Sequence, residues 1–245
     1  DVTALMIDEY SWINRAGPAI QNSNFLRQLQ ITIISGEKEG GWLGELLQHL
    51  PYNRSIELLG IYLQPNVSEE TTNRHKYELE WDIFHILTPF IENNTNLREI
   101  QLIKGTSSML SSLALALSDC KNKRLEGIYL HDIETGSDFG QLFASLTAYD
   151  NLLEIRVINC SIESKGSMAL SDLLQNPISK IHELGLHGTI FDDDCIVALG
   201  IGLIRNNSVK SLSISMRIDS KVSAAGWVTF CMRIDFKVSS AVWAT

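Results

Sequence analysis

One short apolar pattern, L-x-x-L-x-L in its loosest form, recurs seven times along the chain. We call it the repeat phrase and number its positions from one. The phrases begin at Leu26, Ile56, Leu97, Leu125, Leu152, Ile181 and Val209. By subtraction, successive phrases start 30, 41, 28, 27, 29 and 28 residues apart. A period near 28 residues indicates a solenoid, in which each unit buries its apolar face against its neighbours.

Each phrase predicts a strand, and the stretch that follows predicts a helix. The fifth unit shows this most clearly, with Ile155 and Val157 pointing inward from the strand and Cys160 at position nine. A small thiol at that position can bond to turn backbone that has no partner in a sheet. An apolar stripe at helical spacing then predicts a helix over 167–175, which ends before Pro177.

Three further units fit this pattern with defects. Their helices are predicted at 107–119, 137–149 and about 192–204. Position nine holds Gly105, Ile133 and Thr189 in these units, and none of them is Asn or Cys. The sequence therefore predicts irregular turns after these three strands.

Both ends of the chain and the second unit depart from the period. A polar excess of about 13 residues in the second unit predicts an insertion over 64–80, after which the helix resumes at 77–92. Residues 1–25 predict one helix, 4–15, which serves as an N-terminal cover or a partial repeat. The segments 216–227 and 232–243 are near copies, and their alternation of apolar and polar residues predicts strands.

The predicted domain organisation follows from these departures. Residues 1–25 form the N-terminal cover or partial repeat, 26–215 the solenoid, and 216–245 a tail outside the repeat. The duplication in the tail is open to two interpretations. It is a terminal cap, or it reflects a duplication or misreading of the end of the coding sequence.

The phrase and its spacing resemble the ribonuclease-inhibitor-like family of leucine-rich repeats. The resemblance covers Leu26 to Ser215 and rests on the extended pattern L-x-x-L-x-L-x-x-C-x-I-x-x-x-G of the fifth unit. It implies an α/β solenoid shaped as a curved right-handed horseshoe, with a parallel sheet on the concave face and helices on the convex face. It implies little about function, because this fold carries many unrelated binding roles.

Charge and composition disfavour several classes of partner. The formal net charge of −9 opposes binding to nucleic acid and to anionic membranes. No apolar run approaches the roughly 20 residues that a membrane-spanning helix needs. The four cysteines lie far apart without a C-x-x-C pair, which predicts buried, reduced thiols in a cytoplasmic protein. We expect a monomer.

The sequence contains no motif for catalysis, a metal or a cofactor. G-x-S-x-G, H-E-x-x-H and the phosphate-binding G-x-x-x-x-G-K-[ST] are all missing, so we expect no enzyme and no cofactor. His182 and His187 lie near the acidic run 192–194, but their odd separation puts them on opposite faces of a strand. The aspartates are better explained by the positive end of a helix dipole, so no metal site is predicted.

The candidate site comes from geometry instead. Positions three, five and seven of each phrase point away from the core onto the concave face, where they form three rows across the strands. Exposed aromatic and apolar side chains with a polar rim are typical of protein interfaces. The predicted partner-binding residues are Tyr62, Glu99, Gln101, Ile103, Tyr129, His131, Glu154, Arg156, Ile158, Glu183 and His187.

The sequence therefore predicts a non-enzymatic module that binds an unidentified protein through its concave face. Two alternatives stay open. The chain could instead be a regulatory activator of a small GTPase, a role that some relatives of this repeat family play. It could also be a detached fragment of a larger receptor or scaffold protein.

Overall fold

A computed structural model describes residues 4–7, 13–34, 48–64, 83–120, 123–133, 138–217, 220–226, 228, 230 and 240–244. Within these residues, nine parallel strands form one open sheet in which every strand pairs with the next one along the chain. The strands are β1 (Ala4–Ile7), β2 (Gln28–Ile34), β3 (Leu58–Gln64), β4 (Glu99–Ile103), β5 (Gly127–His131), β6 (Glu154–Ile158), β7 (Glu183–Thr189), β8 (Ser211–Met216) and β9 (Ser240–Ala244). The seven strands β2 to β8 carry the seven repeat phrases, and β1 and β9 flank them.

Helices alternate with the strands in a repeat-like α/β arrangement. They are α1 (Ile13–Asn22), α2 (Ile83–Asn93), α3 (Ser107–Asp119), α4 (Phe139–Leu146), α5 (Ser164–Gln175) and α6 (Asp193–Arg205), with a 3-10 turn at Leu50–Tyr52. From α2 to α6, each helix packs against the next one. Among the helices that the structure describes, none has the length and apolar character needed to cross a membrane.

The core lies between the helices and one face of the sheet. Positions four and six of the phrases are at most 1% exposed throughout β4 to β7, as in Ile155 and Val157 of β6. The helices contribute large apolar side chains to the same layer, including Phe139 and Phe143, whose ring centroids are 5.8 Å apart. Strand alternation therefore leaves positions three, five and seven on the opposite face, which no described helix covers. We call it the open face.

Four consecutive repeat units each contain one residue in the left-handed region of backbone conformation. These residues occupy position eight and are Lys104 (φ 57°), Asp132 (φ 53°), Asn159 (φ 53°) and Gly188 (φ 58°). The backbone N–H of each of the first three donates to the carbonyl oxygen at position seven of the following phrase, for example Lys104 to His131 at 2.7 Å. Position eight therefore repeats one backbone conformation in the fifth unit and in the three units whose turns were predicted to be irregular, so that prediction fails at this position.

Position nine explains how the turn tolerates different residues. The Cys160 thiol donates to the Ile158 carbonyl oxygen (3.1 Å), and the Thr189 hydroxyl donates to the Val157 carbonyl oxygen (3.4 Å). Threonine can therefore replace cysteine as the buried donor to strand backbone. The sixth unit, one of the three predicted to be irregular, does show an irregularity, because the register between β7 and β8 shifts between Leu186 and Thr189.

Three buried asparagines tie the end of one repeat unit to the strand of the next. Asn53, Asn94 and Asn206 stand three residues before a phrase, and none is more than 7% exposed. The Asn94 side-chain oxygen accepts from the N–H groups of Asn96 (2.7 Å) and Leu97 (2.8 Å). Asn206 repeats this with Ser208 and Val209, and its amide also donates to the Leu174 carbonyl of the preceding unit (2.7 Å). These side chains satisfy loop backbone that would otherwise be buried without partners.

Helix starts follow capping chemistry more closely than apolar periodicity. Thr106, Asp138 and Asp192 each accept from the backbone N–H three residues later, which is the usual N-cap bond. The helix at 107–119 is as predicted, whereas α4 is shorter than the predicted 137–149 and α5 begins before the predicted 167. Hydrogen bonds from Cys195, first its thiol and then its N–H, lower the pKa of the Asp192 carboxyl.

The N-terminal region differs from its prediction. The helix predicted over 4–15 is wrong in its first part, because Ala4–Ile7 is a strand that pairs with β2, and the helix begins at Ile13. A strand followed by a helix is the order of a repeat unit. The insertion at 64–80 lies outside the described residues apart from Gln64, which ends β3.

The C-terminal region also differs. The first copy of the duplication was predicted as a strand, but among its described residues only Met216 belongs to one, and residues 224–226 are helical. The side chain of Phe230 is fully buried. Ser240 then pairs with Ser211, a step of 29 residues that matches the repeat period. The alternating part of the second copy, up to residue 239, lies outside the described residues.

Candidate functional site: the open face of the sheet

The strand register places the predicted rows as expected. Position three aligns Glu99, Gly127, Glu154 and Glu183, and position five aligns Gln101, Tyr129, Arg156 and Gly185. Position seven aligns Tyr62, Ile103, His131, Ile158 and His187 across β3 to β7. All eleven predicted residues therefore lie on the open face, and every one of them is at least partly exposed.

A hydrogen-bonded network joins four of these residues at the centre of the face. The Tyr129 hydroxyl donates to Glu154 Oε2 at 2.6 Å. Arg156 Nε pairs with Glu154 Oε1, and Arg156 Nη2 lies 3.6 Å from Glu183 Oε2. The guanidinium carbon of Arg156 is also 5.5 Å from the centroid of the Tyr129 ring, which is within cation–π range. We call Tyr129, Glu154, Arg156 and Glu183 the central network.

The pKa values of two of its members report the same contacts. Burial, followed by the hydrogen bond to Glu154 and the charges of Glu99 and Glu154, raises the pKa of the Tyr129 phenol above its ordinary value. Burial lowers the pKa of the Arg156 guanidinium, but the neighbouring charges, first Glu154, outweigh it and the net shift is upward. Tyr129 is therefore a neutral donor and Arg156 a permanent cation at physiological pH.

Two glycines on the open face make room for the network. A Cβ atom at Gly127 would lie only 3.0 Å from Tyr129 Cε2, so the Tyr129 ring leans over Gly127 towards the start of the strands. A Cβ atom at Gly185 would lie 3.4 Å from Arg156 Cγ. Because neither position carries a side chain, the aromatic ring and the guanidinium stem can lie close to the sheet.

A second group lies where the strands end. His131 Nε2 is 3.3 Å from the side-chain nitrogen of Asn159 and 3.5 Å from Asp132 Oδ2. Ile103 and Ile158 flank His131 on the adjacent strands, and both are partly exposed. The ammonium group of Lys104 lies 5.4 Å from the centroid of the Tyr62 ring. This group is the apolar and imidazole part of the face, next to the charged central network.

Sequence reasoning missed a row of alternating charge at position two of the phrases. The row runs Arg27, Glu57, Arg98, Glu126, and each of these residues stands directly before one of the strands β2 to β5. Arg27 Nη1 lies 3.5 Å from Glu57 Oε1, and Arg98 Nη1 lies 2.8 Å from Glu126 Oε1. The sequence does contain this pattern, because the residue at position two alternates between positive and negative charge in four successive phrases.

This row borders a cavity of about 300 Å³ at the start of the strands. Glu99, Gly127, Tyr129 and Glu154 line its other side. Tyr129 and Glu154 of the central network therefore line this cavity, and carboxylates outnumber cations in its lining.

The histidines and aspartates considered above as metal ligands lie in and beside β7 and α6. In the part of the chain that it describes, no three His, Cys, Asp or Glu side chains group as they would around a metal ion. His187 lies in β7, whereas His182 precedes that strand. Asp193 and Asp194 lie in the first turn of α6, and Asp192 is its N-cap.

Comparison with known proteins supports the fold and leaves the function open. No protein-family model matches the chain, and no curated protein matches it. The chain is similar to a protein from Bacteroides fragilis whose crystal structure was determined as a structural genomics target. The match has a TM-score of 0.53 and 14% sequence identity, and it covers 97% of this chain and 74% of the other. At this identity the likeness concerns the fold alone.

Proposed function

We propose that the chain is a leucine-rich-repeat solenoid of the ribonuclease-inhibitor-like kind, a curved right-handed horseshoe whose open face is concave. Three features support this architecture. Most successive units start 27 to 30 residues apart. A residue in the left-handed region recurs at position eight. A Cys or Thr at position nine donates a hydrogen bond to strand backbone. Each feature repeats along the chain, as expected when every unit contacts only its neighbours.

We further propose that the protein is a non-enzymatic binding module that holds a partner protein on the open face. The observation that carries this proposal is the central network. It brings an aromatic ring and a guanidinium together at the middle of a face that no described element covers. Tyrosine and arginine are enriched among the residues that dominate binding energy at interfaces.

The network also holds these side chains in place before any partner arrives. Arg156 forms ion pairs with two carboxylates and lies against Tyr129, yet its side chain is 48% exposed. A rotamer-rich side chain that is already ordered loses less entropy on binding, by roughly 0.5–1.5 kcal/mol per residue. The partly exposed Ile103 and Ile158 next to the network supply apolar area for the same contact.

Charge indicates the chemistry of the partner. Positions three, five and seven of β4 to β7 carry three carboxylates, those of Glu99, Glu154 and Glu183, and one guanidinium, that of Arg156. The whole chain has a formal net charge of −9. A complementary surface is therefore basic, which would speed association and make it sensitive to salt. The proposed partner presents lysine or arginine side chains towards Glu99 and Glu183.

The test is quantitative affinity capture from native lysate with wild-type protein and the variant Tyr129→Ala/Arg156→Ala. We expect the double variant to lose at least about tenfold in affinity for the captured partner, because such anchors often contribute roughly 2 kcal/mol each. Its melting temperature should stay close to that of the wild type, because Arg156 is exposed and Tyr129 partly so.

A matched control changes two residues on the helices. Leu115 and Met168 are 65% and 60% exposed, so Leu115→Ala/Met168→Ala removes a similar amount of exposed side chain from another surface. The proposal is wrong if this control loses the partner and the open-face variant retains it. A partner that binds both variants as tightly as the wild type would also place the interface elsewhere.

A further inference from the structure

A second cavity lies between the loops that lead from helices into strands. Its volume is about 470 Å³, and it opens at the edge of the sheet where the strands begin. The residues that bear on its chemistry are Arg54, Glu92, Thr95, Lys123, Arg124 and Asn151. Three cations thus face one carboxylate, a local excess of two positive charges in a chain with a formal net charge of −9. The open-face network plays no part in this cavity.

The repeat explains why these side chains converge. Arg54, Thr95 and Lys123 occupy the same place in three consecutive units, two residues before each phrase. The strands that follow them, β3, β4 and β5, pair in register. At the usual spacing of about 4.8 Å between strands, Arg54 and Lys123 start about 10 Å apart with the short Thr95 between them. Two long cationic side chains therefore border a gap that has a hydroxyl at its floor.

Local contacts hold both cations at this gap. The Lys123 ammonium lies 4.4 Å from the centroid of the Tyr149 ring, and the hydroxyl of that buried ring donates to the Leu117 carbonyl at 2.8 Å. The Asn151 side chain donates to the Lys123 carbonyl at 3.3 Å, and the Asn96 side chain donates to the Arg54 carbonyl. A cation–π contact orients an ammonium group without neutralising its charge.

We propose that this cavity binds a phosphomonoester. The local charge excess matches the dianionic form of such a group, and the planar fork of arginine suits its oxygens. Thr95 and Asn151 can add neutral hydrogen bonds. The volume exceeds that of a phosphate group and leaves room for the organic part of the ester. The ligand is either a free phosphate ester or a phosphorylated side chain of another protein.

The competing explanation is purely structural. The helices Ile83–Asn93 and Ser107–Asp119 both end near this edge, and cations stabilise the negative ends of helix dipoles. Under that explanation the cations contribute to stability, and phosphate has no effect beyond that of ionic strength. The two explanations therefore differ in what phosphate compounds do.

The test is isothermal titration calorimetry of the full chain with inorganic phosphate, O-phosphoserine and a phosphoserine peptide, at an ionic strength held constant with sodium chloride. We expect heat from O-phosphoserine that serine does not produce. Arg54→Gln and Lys123→Gln should each weaken binding by about tenfold, as expected for the loss of one charge-assisted hydrogen bond. Circular dichroism melts check that both variants fold.

Lys180→Gln is the matched control, because Lys180 is an exposed cation on the same edge but does not line the cavity. It should bind O-phosphoserine as the wild type does. Equal weakening by Lys180→Gln, or heats with phosphate compounds that match those with chloride, would overturn the proposal. A peptide that binds tenfold more tightly than O-phosphoserine supports a phosphoprotein as the source, and equal affinities support a free ester.

Discussion

The two faces of strand β6 show how differently neighbouring residues are constrained. Ile155 and Val157 point into the helix-covered core and are fully buried. Arg156, between them in sequence, points to the open face with 48% of its side chain exposed. The covered face is held by packing that repeats in every unit, whereas the open face is held by a polar network found in one place. Mutations on the two faces should therefore have different consequences.

The contrast shows that residues alternating along one strand serve different purposes. Those on the covered face stabilise the fold, and those on the open face are available for recognition. On the covered face a change of volume leaves a cavity, because neighbouring side chains relax only partly. On the open face a lost side chain is replaced by water. The open face is therefore free to vary in chemistry without endangering the fold, which is how one repeat architecture carries many binding roles.

The largest expected effect comes from the covered face. Ile155→Ala should lower the free energy of unfolding by roughly 2–5 kcal/mol, through lost burial and the cavity it leaves. Arg156→Ala, one residue away, should cost no more than about 1 kcal/mol, because partly exposed ion pairs contribute little. Urea denaturation of both variants measures the difference. Equal losses would show that the two faces are not distinct in energy.

The second effect concerns the buried asparagines at the helix ends. Asn94→Ala should cost about 1–3 kcal/mol, because the N–H groups of Asn96 and Leu97 would lose their acceptor in a buried loop. The neighbouring Asn93 is exposed, and its side chain donates to the Pro89 carbonyl oxygen of its own helix. Asn93→Ala should therefore stay within about 0.5 kcal/mol of the wild type. If the two variants melt alike, the asparagine does not stabilise the junction between units.

How far the sequence could predict this structure differs between the two faces. The strands and the helix Ser107–Asp119 were predictable, because apolar periodicity reports directly which side chains face the core. The left-handed turns at Lys104 and Asp132 were not, because non-glycine residues rarely adopt that conformation and only the stacking of units favours it here. The strand at Ala4–Ile7 was mistaken for helix because it is too short to show a period.

On the open face, the sequence predicted where the side chains lie but not which side chains they bond to. The alignment of Tyr129 beside Arg156 follows from the phrase and is found in the register. Their bonds to Glu154 depend on side-chain rotamers, which are set by the space above Gly127 and Gly185 on adjacent strands. Because these residues are adjacent in space but about 28 positions apart in sequence, no local sequence pattern indicates which rotamers they adopt. Whether the face binds a partner stays a prediction.

A third prediction uses two thiols that are buried in the core. Burial raises the pKa of Cys160 to about 12 and that of Cys195 to about 11. Both thiols should therefore resist alkylation by iodoacetamide at pH 8 in the native protein and react in urea, since the thiolate is the reactive form. Mass spectrometry of digested protein measures labelling at each site. Rapid labelling of Cys160 while the fold is retained would contradict its place in the core.

The smallest effect concerns the phenol of the central network. Tyr129→Phe removes the hydrogen bond to Glu154 and should change the free energy of unfolding at pH 7 by no more than about 1 kcal/mol, because the site is partly exposed. The variant should differ more clearly in its response to alkaline pH. Burial, then the hydrogen bond to Glu154 and nearby carboxylates, raises the pKa of the folded-state phenol above its unfolded value.

The sign of this response follows from proton linkage. The folded state holds the Tyr129 proton more tightly than the unfolded state, so its contribution is fully present below the unfolded pKa, about 10, and is lost as the pH rises beyond it. Tyr149, whose pKa burial also raises, contributes a second loss in the same range. Denaturation between pH 9 and 11 should therefore show a shallower decline for Tyr129→Phe than for the wild type, and a shallower one again when Tyr149→Phe is added. A decline as steep in Tyr129→Phe as in the wild type would mean that the phenol is not engaged with Glu154 in solution, and the open face would then lack the order that the central network gives it.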